Sequence, residues 1–196
     1  NVVVLATAEE ADASMDGLSY EGYNVRVVDY LQSEHRDALA QRLYDKRSHR
    51  GMTLDEAKEA VKDRLYFGNL MVDAGMADGL VAGSVASTPD MLRAAFQCVG
   101  TEAGIRYASS CFVMELEHPS PAGDAVLFYA DCGVNPDPNS QALADIALAT
   151  ARTRRALIGD TPRAAFLSFS TKGSAHHRIV NKVAAGVELA KQRVED

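Results

Sequence analysis

Two stretches of the sequence place hydroxyls, a cation and glycine where an apolar run gives way to a segment of helical period. They are "GLVAGSVASTPDMLR", residues 79–93, and "AAFLSFSTKGSAHHR", residues 164–178. At such a junction the first helical N–H groups lack internal partners and carry partial positive charge, so nearby hydroxyls and a cation complete an anion site. Ser170, Thr171, Lys172 and Gly173 supply these types in the second stretch, and Ser87, Thr88 and Arg93 in the first. Arg93 lies about one turn into its helix, where a guanidinium reaches back over the loop and holds phosphate with two N–H groups. The bland alternative is equally physical: Ser and Thr are ordinary N-caps, Gly is an ordinary turn residue, and an arginine there can simply be solvated. Lys172 precedes Gly173, so the G-K-[ST] order of a nucleotide-binding loop is absent.

Other reactive types give less. Arg47 belongs to the cationic cluster "KRSHRG", a pattern that most often marks a solvated face. None of the five histidines has metal-ligand spacing, so no metal site is expected. Cys98, Cys111 and Cys132 show no C-x-x-C spacing, which fits reduced thiols; Cys111 and Cys132, in apolar strand-like surroundings, are expected to be buried and inert. A net charge of −7 disfavours nonspecific nucleic-acid binding. No apolar run is long enough to span a bilayer and no targeting peptide is evident, so a cytoplasmic protein without a membrane partner is expected.

The elements that must position these residues alternate between short β-rich runs and longer helical patterns, the signature of an α/β fold. "NVVVLAT", "VRVVDY", "DGLVAG" and the run 164–169 read as buried strands, and "YASSCFVMEL" with "AVLFYAD" as a hairpin. Helices are expected over 34–47, from Thr53 to Gly75 behind a Thr53/Glu56 capping box, in "STPDMLRAAFQCVG" with Thr88 as N-cap and Pro89 at the first helical position, over 140–157, and at the end, burying Ile179, Val183, Val187 and Ala190. A boundary near Gly100 divides the chain into domains 1–99 and 100–196 with a cleft between them.

Five ordered motifs then carry a resemblance: "MVDAGMADGLVAGS" with "STPDMLRAAFQ", "YASSCFVM", "ADCGVNPDPNSQALADIAL" and "PRAAFLSFSTKGSA". Over essentially the whole chain they resemble the phosphate acetyltransferase branch of the phosphate acetyl/butyryltransferase family. The resemblance implies two α/β/α domains with layered, mostly parallel sheets, a homodimer, and reversible acetyl transfer between acetyl phosphate and coenzyme A by direct thiolate attack. Coenzyme A is then a substrate and no cofactor is implied. Residue by residue, Ser87, Thr88 and Arg93 match the phosphate-handling motif, with Arg93 the catalytic candidate. Ser109 matches a serine of a facing strand, Ser170, Thr171, Lys172 and Gly173 match a second-domain loop, and Arg47 matches an arginine linked to coenzyme A. Ala86 and Ala94 depart from the family's usual residues. Family members also continue past this chain into a Ser-Arg pair and an aspartate proposed as general base, so the chain is expected to be an internal fragment with little activity of its own. Two alternatives remain open: a non-catalytic acetyl-CoA-sensing domain like those fused to malic enzymes, and a phosphate butyryltransferase.

Overall fold

The computed structural model describes residues 1–15, 22–121, 123–170 and 174–194. The chain divides into two compact units, Asn1–Gly100 and Thr101–Asp196. In the first unit, β1 (Val2–Leu5) and β2 (Val25–Val28) pair in parallel, Val3 opposite Arg26 and Leu5 opposite Val28, with α1 (Ala8–Met15) between them in the chain. Parallel strands require such a crossover. Thr7 and Glu10 start α1 reciprocally: the Glu10 N–H donates to Thr7 Oγ1 at 3.2 Å and the Thr7 N–H to Glu10 Oε2 at 2.9 Å.

On the Val3/Leu5 face lie α2 (Arg36–Arg47), α3 (Leu54–Ala60), α4 (Arg64–Asp73) and α5 (Thr88–Cys98). Their inward residues Leu43, Val61, Phe67 and Leu70 are all but inaccessible to solvent and form the core against which Val3, Leu5 and Val28 pack. Each such side chain removed from water stabilises the unit by about 1.5–3 kcal/mol. The expected Thr53/Glu56 capping box is present, with Glu56 N–H donating to Thr53 Oγ1 at 3.2 Å. The single helix expected beyond it is instead two. Asp63 interrupts the run and caps α4, accepting from the N–H groups of Leu65 and Tyr66. An N-cap residue has extended backbone, so the helix must break where the carboxylate takes those donors.

Residues 79–83 form no strand, against expectation. Leu80 seats over Gly68, where a Cβ would meet its Cδ1 at 2.9 Å, while Val81 is fully exposed. Leu80, itself 37% exposed, rests against Gly68 of α4, and the segment makes no ladder to β1.

In the second unit, β3 (Cys111–Glu115) and β4 (Val126–Ala130) form the expected antiparallel hairpin, Cys111 opposite Ala130 and Glu115 opposite Val126. The two long helices are α6 (Ser140–Ile158) and α7 (Arg178–Gln192). They approach closely at Gly186, where a Cβ would stand 3.0 Å from that of Leu143. The α7 face is shifted from expectation: Gly186 and Ala190 are buried, but Ile179 is 40% exposed, because it lies in the first turn, beyond the closest approach. The run 164–169 is likewise no strand. Residues 162–167 line a cavity of about 400 Å³ with β4 and α6, and Leu167 and Phe169 stay exposed. No described helix is long and apolar enough to cross a membrane.

Candidate functional site

In the first unit the hydroxyl junction opens α5. Its N-cap is Ser87, one residue before the expected Thr88. Ser87 Oγ accepts from the Asp90 N–H at 3.3 Å and donates to Asp90 Oδ2 at 2.6 Å. Thr88 becomes the first helical residue, and its side chain stays exposed. Arg93 Nη1 donates to Asp90 Oδ1 at 2.7 Å. Both candidate groups therefore converge on one carboxylate, which Ser87 first and Arg93 second hold below the usual Asp range. The Arg93–Asp90 pair is more than half exposed on both sides, a weak kind of ion pair that an incoming anion can exchange.

Arg47 ends α2, and its side chain makes no hydrogen bond or ion pair with the described residues. It does act with Arg93 on the same group. Burial raises the Tyr66 phenol above its ordinary value, and the charges of Arg93 and Arg47 pull it back.

In the second unit, Ser109 sits half-buried in the stretch leading into β3. That stretch is held by side chains instead of a backbone ladder. Buried Asp145 accepts the N–H groups of Arg106 and Tyr107 at 3.2 and 3.3 Å. Asn135 Nδ2 donates to the Ala108 carbonyl at 2.8 Å. Asp131 accepts both the N–H and the hydroxyl of Ser110, at 3.2 and 2.6 Å. Asp131 also accepts the N–H groups of Gly133, Val134 and Asn135. Burial disfavours its charge, but bonds from Ser110, Gly133, Asn135 and Val134 outweigh that and hold the carboxyl far below the usual range.

The second junction is described on either side of Thr171, Lys172 and Gly173, which lie outside the described residues. Ser170 Oγ and Ser174 Oγ are 2.8 Å apart. His177 is the N-cap of α7, its Nδ1 accepting the Ile179 N–H, and its ring meets Phe169 edge-on at 5.9 Å.

Of the thiols, Cys98 is fully buried, and that burial pushes it up to about 12. Cys111 and Cys132 are only half-buried, contrary to expectation, because the two-stranded hairpin leaves its faces partly open. Among the described residues no group of three or more His, Cys, Asp or Glu is placed to hold a metal ion. The residues sequence reasoning passed over are Asp131, Asn135 and Asp145. A weak signal existed in the Asp, Gly and Asn-Pro of "DCGVNP", the composition of an Asx-type turn.

Two α/β units, one opening a helix on hydroxyls beside arginine and the other clamping a serine beside a hairpin, define an α/β protein with polar groups gathered at loop-to-helix junctions. The whole chain, residues 1–196, matches the family described as Phosphate acetyl/butaryl transferase, and the chain belongs to that family. It is 44% identical over 196 residues to a phosphate acetyltransferase of Thermoanaerobacterium thermosaccharolyticum, covering 100% of this chain and 59% of the relative. With the phosphate acetyltransferase of Bacillus subtilis the identity is 35% over 196 residues, 58% of that protein. The solved structure of the EutD phosphotransacetylase from Staphylococcus aureus superposes with a TM-score of 0.84 at 34% identity, covering 98% of this chain and 56% of that one. The chain thus spans somewhat under two thirds of the length of these relatives.

Proposed function

We propose that the protein carrying this chain is a phosphate acetyltransferase, moving an acetyl group reversibly between acetyl phosphate and coenzyme A. The observation that carries this is the 44% identity over the whole chain to a relative of that name. In the proposed reaction the coenzyme A thiolate attacks the carbonyl carbon of acetyl phosphate, negative charge gathers on the carbonyl oxygen, and the C–O bond to phosphate breaks. Acetyl-CoA and inorganic phosphate are released.

The chemistry asks for donors at the carbonyl oxygen and at the departing phosphate. Ser87, Thr88 and Arg93 are assigned to phosphate, with Arg93 exchanging Asp90 for the ligand. Ser109, Ser170, Thr171, Lys172 and Gly173 are assigned to the acetyl phosphate side, and Arg47 to coenzyme A, which enters as substrate. The protein is taken to act as a cytoplasmic homodimer in acetate metabolism.

The test is steady-state kinetics of the protein carrying this chain, following acetyl-CoA formation from acetyl phosphate, with butyryl phosphate as the competing substrate. Arg93→Ala is expected to lower kcat/KM for acetyl phosphate by about 10- to 150-fold, the loss of a bidentate charge-assisted contact, and Arg93→Lys to recover part of it. Absence of transfer from the wild type refutes the activity; wild-type kinetics in Arg93→Ala returns that arginine to the surface.

A further inference from the structure

We propose that Asp131 is a positioning residue that sets the Ser109 hydroxyl, acting through the two residues on either side of it. The proposal rests on the assignment of Ser109 to the substrate and deepens it.

Ser109 lies between two neighbours that are pinned by the same loop. On one side the Ala108 carbonyl accepts from Asn135 Nδ2, and Asn135 Nδ2 also donates to Asp131 Oδ2 at 2.6 Å. On the other side the Ser110 N–H and hydroxyl both donate to Asp131 Oδ1. Asp131 is thus the common terminus of both restraints, direct at Ser110 and relayed by Asn135 at Ala108. Its oxygens are at the same time taken up by the N–H groups of residues 133–135, so the carboxylate itself is locked to its own loop.

Ser109, in contrast, is half-buried and makes no side-chain hydrogen bond with the described residues. A hydroxyl with fixed neighbours and no protein partner is preorganised for a ligand, since the ordering of its backbone is complete before anything binds. Asp131 does not need to touch the reacting atoms; a displacement of about 1 Å in what it holds costs up to about 100-fold in rate.

Asp131→Asn tests this with little change of shape. One carboxylate oxygen becomes an NH2, which faces donors and cannot accept from them. In the protein carrying this chain, Asp131→Asn is expected to lower kcat by about 10- to 100-fold, with the KM for coenzyme A changed less than about twofold. Made in a Ser109→Ala background, it is expected to cost less than about twofold more, because the group it positions is gone.

Multiplicative losses in the double variant, or an unchanged kcat in Asp131→Asn, overturn the proposal. If Asp131→Asn does not fold, Asn135→Ala, which releases only the Ala108 side, carries the same cycle with a smaller first loss. A wild-type rate in Ser109→Ala overturns the assignment of Ser109 to the site, and with it the role given to Asp131. Absence of transfer in the wild type refutes the activity itself.

Discussion

The two units hold their candidate hydroxyls by opposite means. Ser87 is bound to a residue three positions away, so the group that orders it also occupies it: Asp90 receives the Ser87 hydroxyl and the Arg93 guanidinium together. Ser109 is ordered from a distance, by Asp131, Asn135 and Asp145, residues 22 to 36 positions along the chain that bind its neighbours and leave its side chain without a hydrogen bond among the described residues. A local cap is self-sufficient and must be displaced before a ligand binds. A clamp built from distant side chains needs the rest of the unit to be folded, and then leaves the candidate hydroxyl unengaged.

Breaking the distant clamp should therefore cost far more stability than breaking the local cap. The largest effect is expected from Asp145→Ala. This carboxylate is 1% exposed, bonds two backbone N–H groups and pairs with Arg193. Its loss strands those donors and is expected to destabilise the second unit by about 3 kcal/mol, read as a lower urea midpoint with unchanged slope. A midpoint within about 0.5 kcal/mol of wild type would dissolve the contrast between the units.

A smaller and pH-dependent effect is expected at Asp131. Folding lowers the pKa of this carboxyl, so its ionised form stabilises the native state. That contribution is complete above about pH 5, where an unfolded Asp is almost wholly ionised, and drains away as pH falls towards the lower folded value. Asp131→Asn has no such titration. The stability gap between wild type and variant should narrow steadily in unfolding curves recorded from pH 5 down to pH 2.5, and a constant gap would mean the charge is not what the bonds hold.

The smallest effect belongs to Ser87→Ala, which removes an exposed N-cap and should cost about 1 kcal/mol, independent of the second unit. A loss as large as that of Asp145→Ala would show that the α5 cap is no local affair.

The same difference in range explains what was legible in the sequence. Caps and periodic helices are statements about residues three or four apart, so the Thr53/Glu56 box, α2, α6 and the β3–β4 hairpin follow from their patterns, and the α5 start is displaced by a single residue. The runs 79–83 and 164–169 are apolar like β1, yet form no ladder. A run of Val, Leu and Phe expresses a propensity to pair without naming the partner, and here their side chains Val81, Leu167 and Phe169 face solvent. The Asp63 break was hidden because Leu54, Ala57, Val61 and Leu65 keep helical spacing across it. The candidate anion-site residues are readable by type and by resemblance, but Asp90, the carboxylate partner of Ser87 and Arg93, is not. Nor is the Asp131 clamp, whose targets lie on another part of the chain.

The pairing of Arg193 with Asp145 also has a dynamic consequence. Arg193 is the C-cap of α7, the end from which a helix ordinarily frays, and it is tied to Asp145 in the second turn of α6. Seven residues upstream, Gly186 brings the two helix backbones together so closely that a methyl group would stand 3.0 Å from Leu143 Cβ and crowd it. With one fastening at its end and one at its midpoint, α7 cannot open residue by residue from its C-terminus. Its last-turn amides should exchange with deuterium at the rate of the α6 amides around Asp145, as parts of a single cooperative unit.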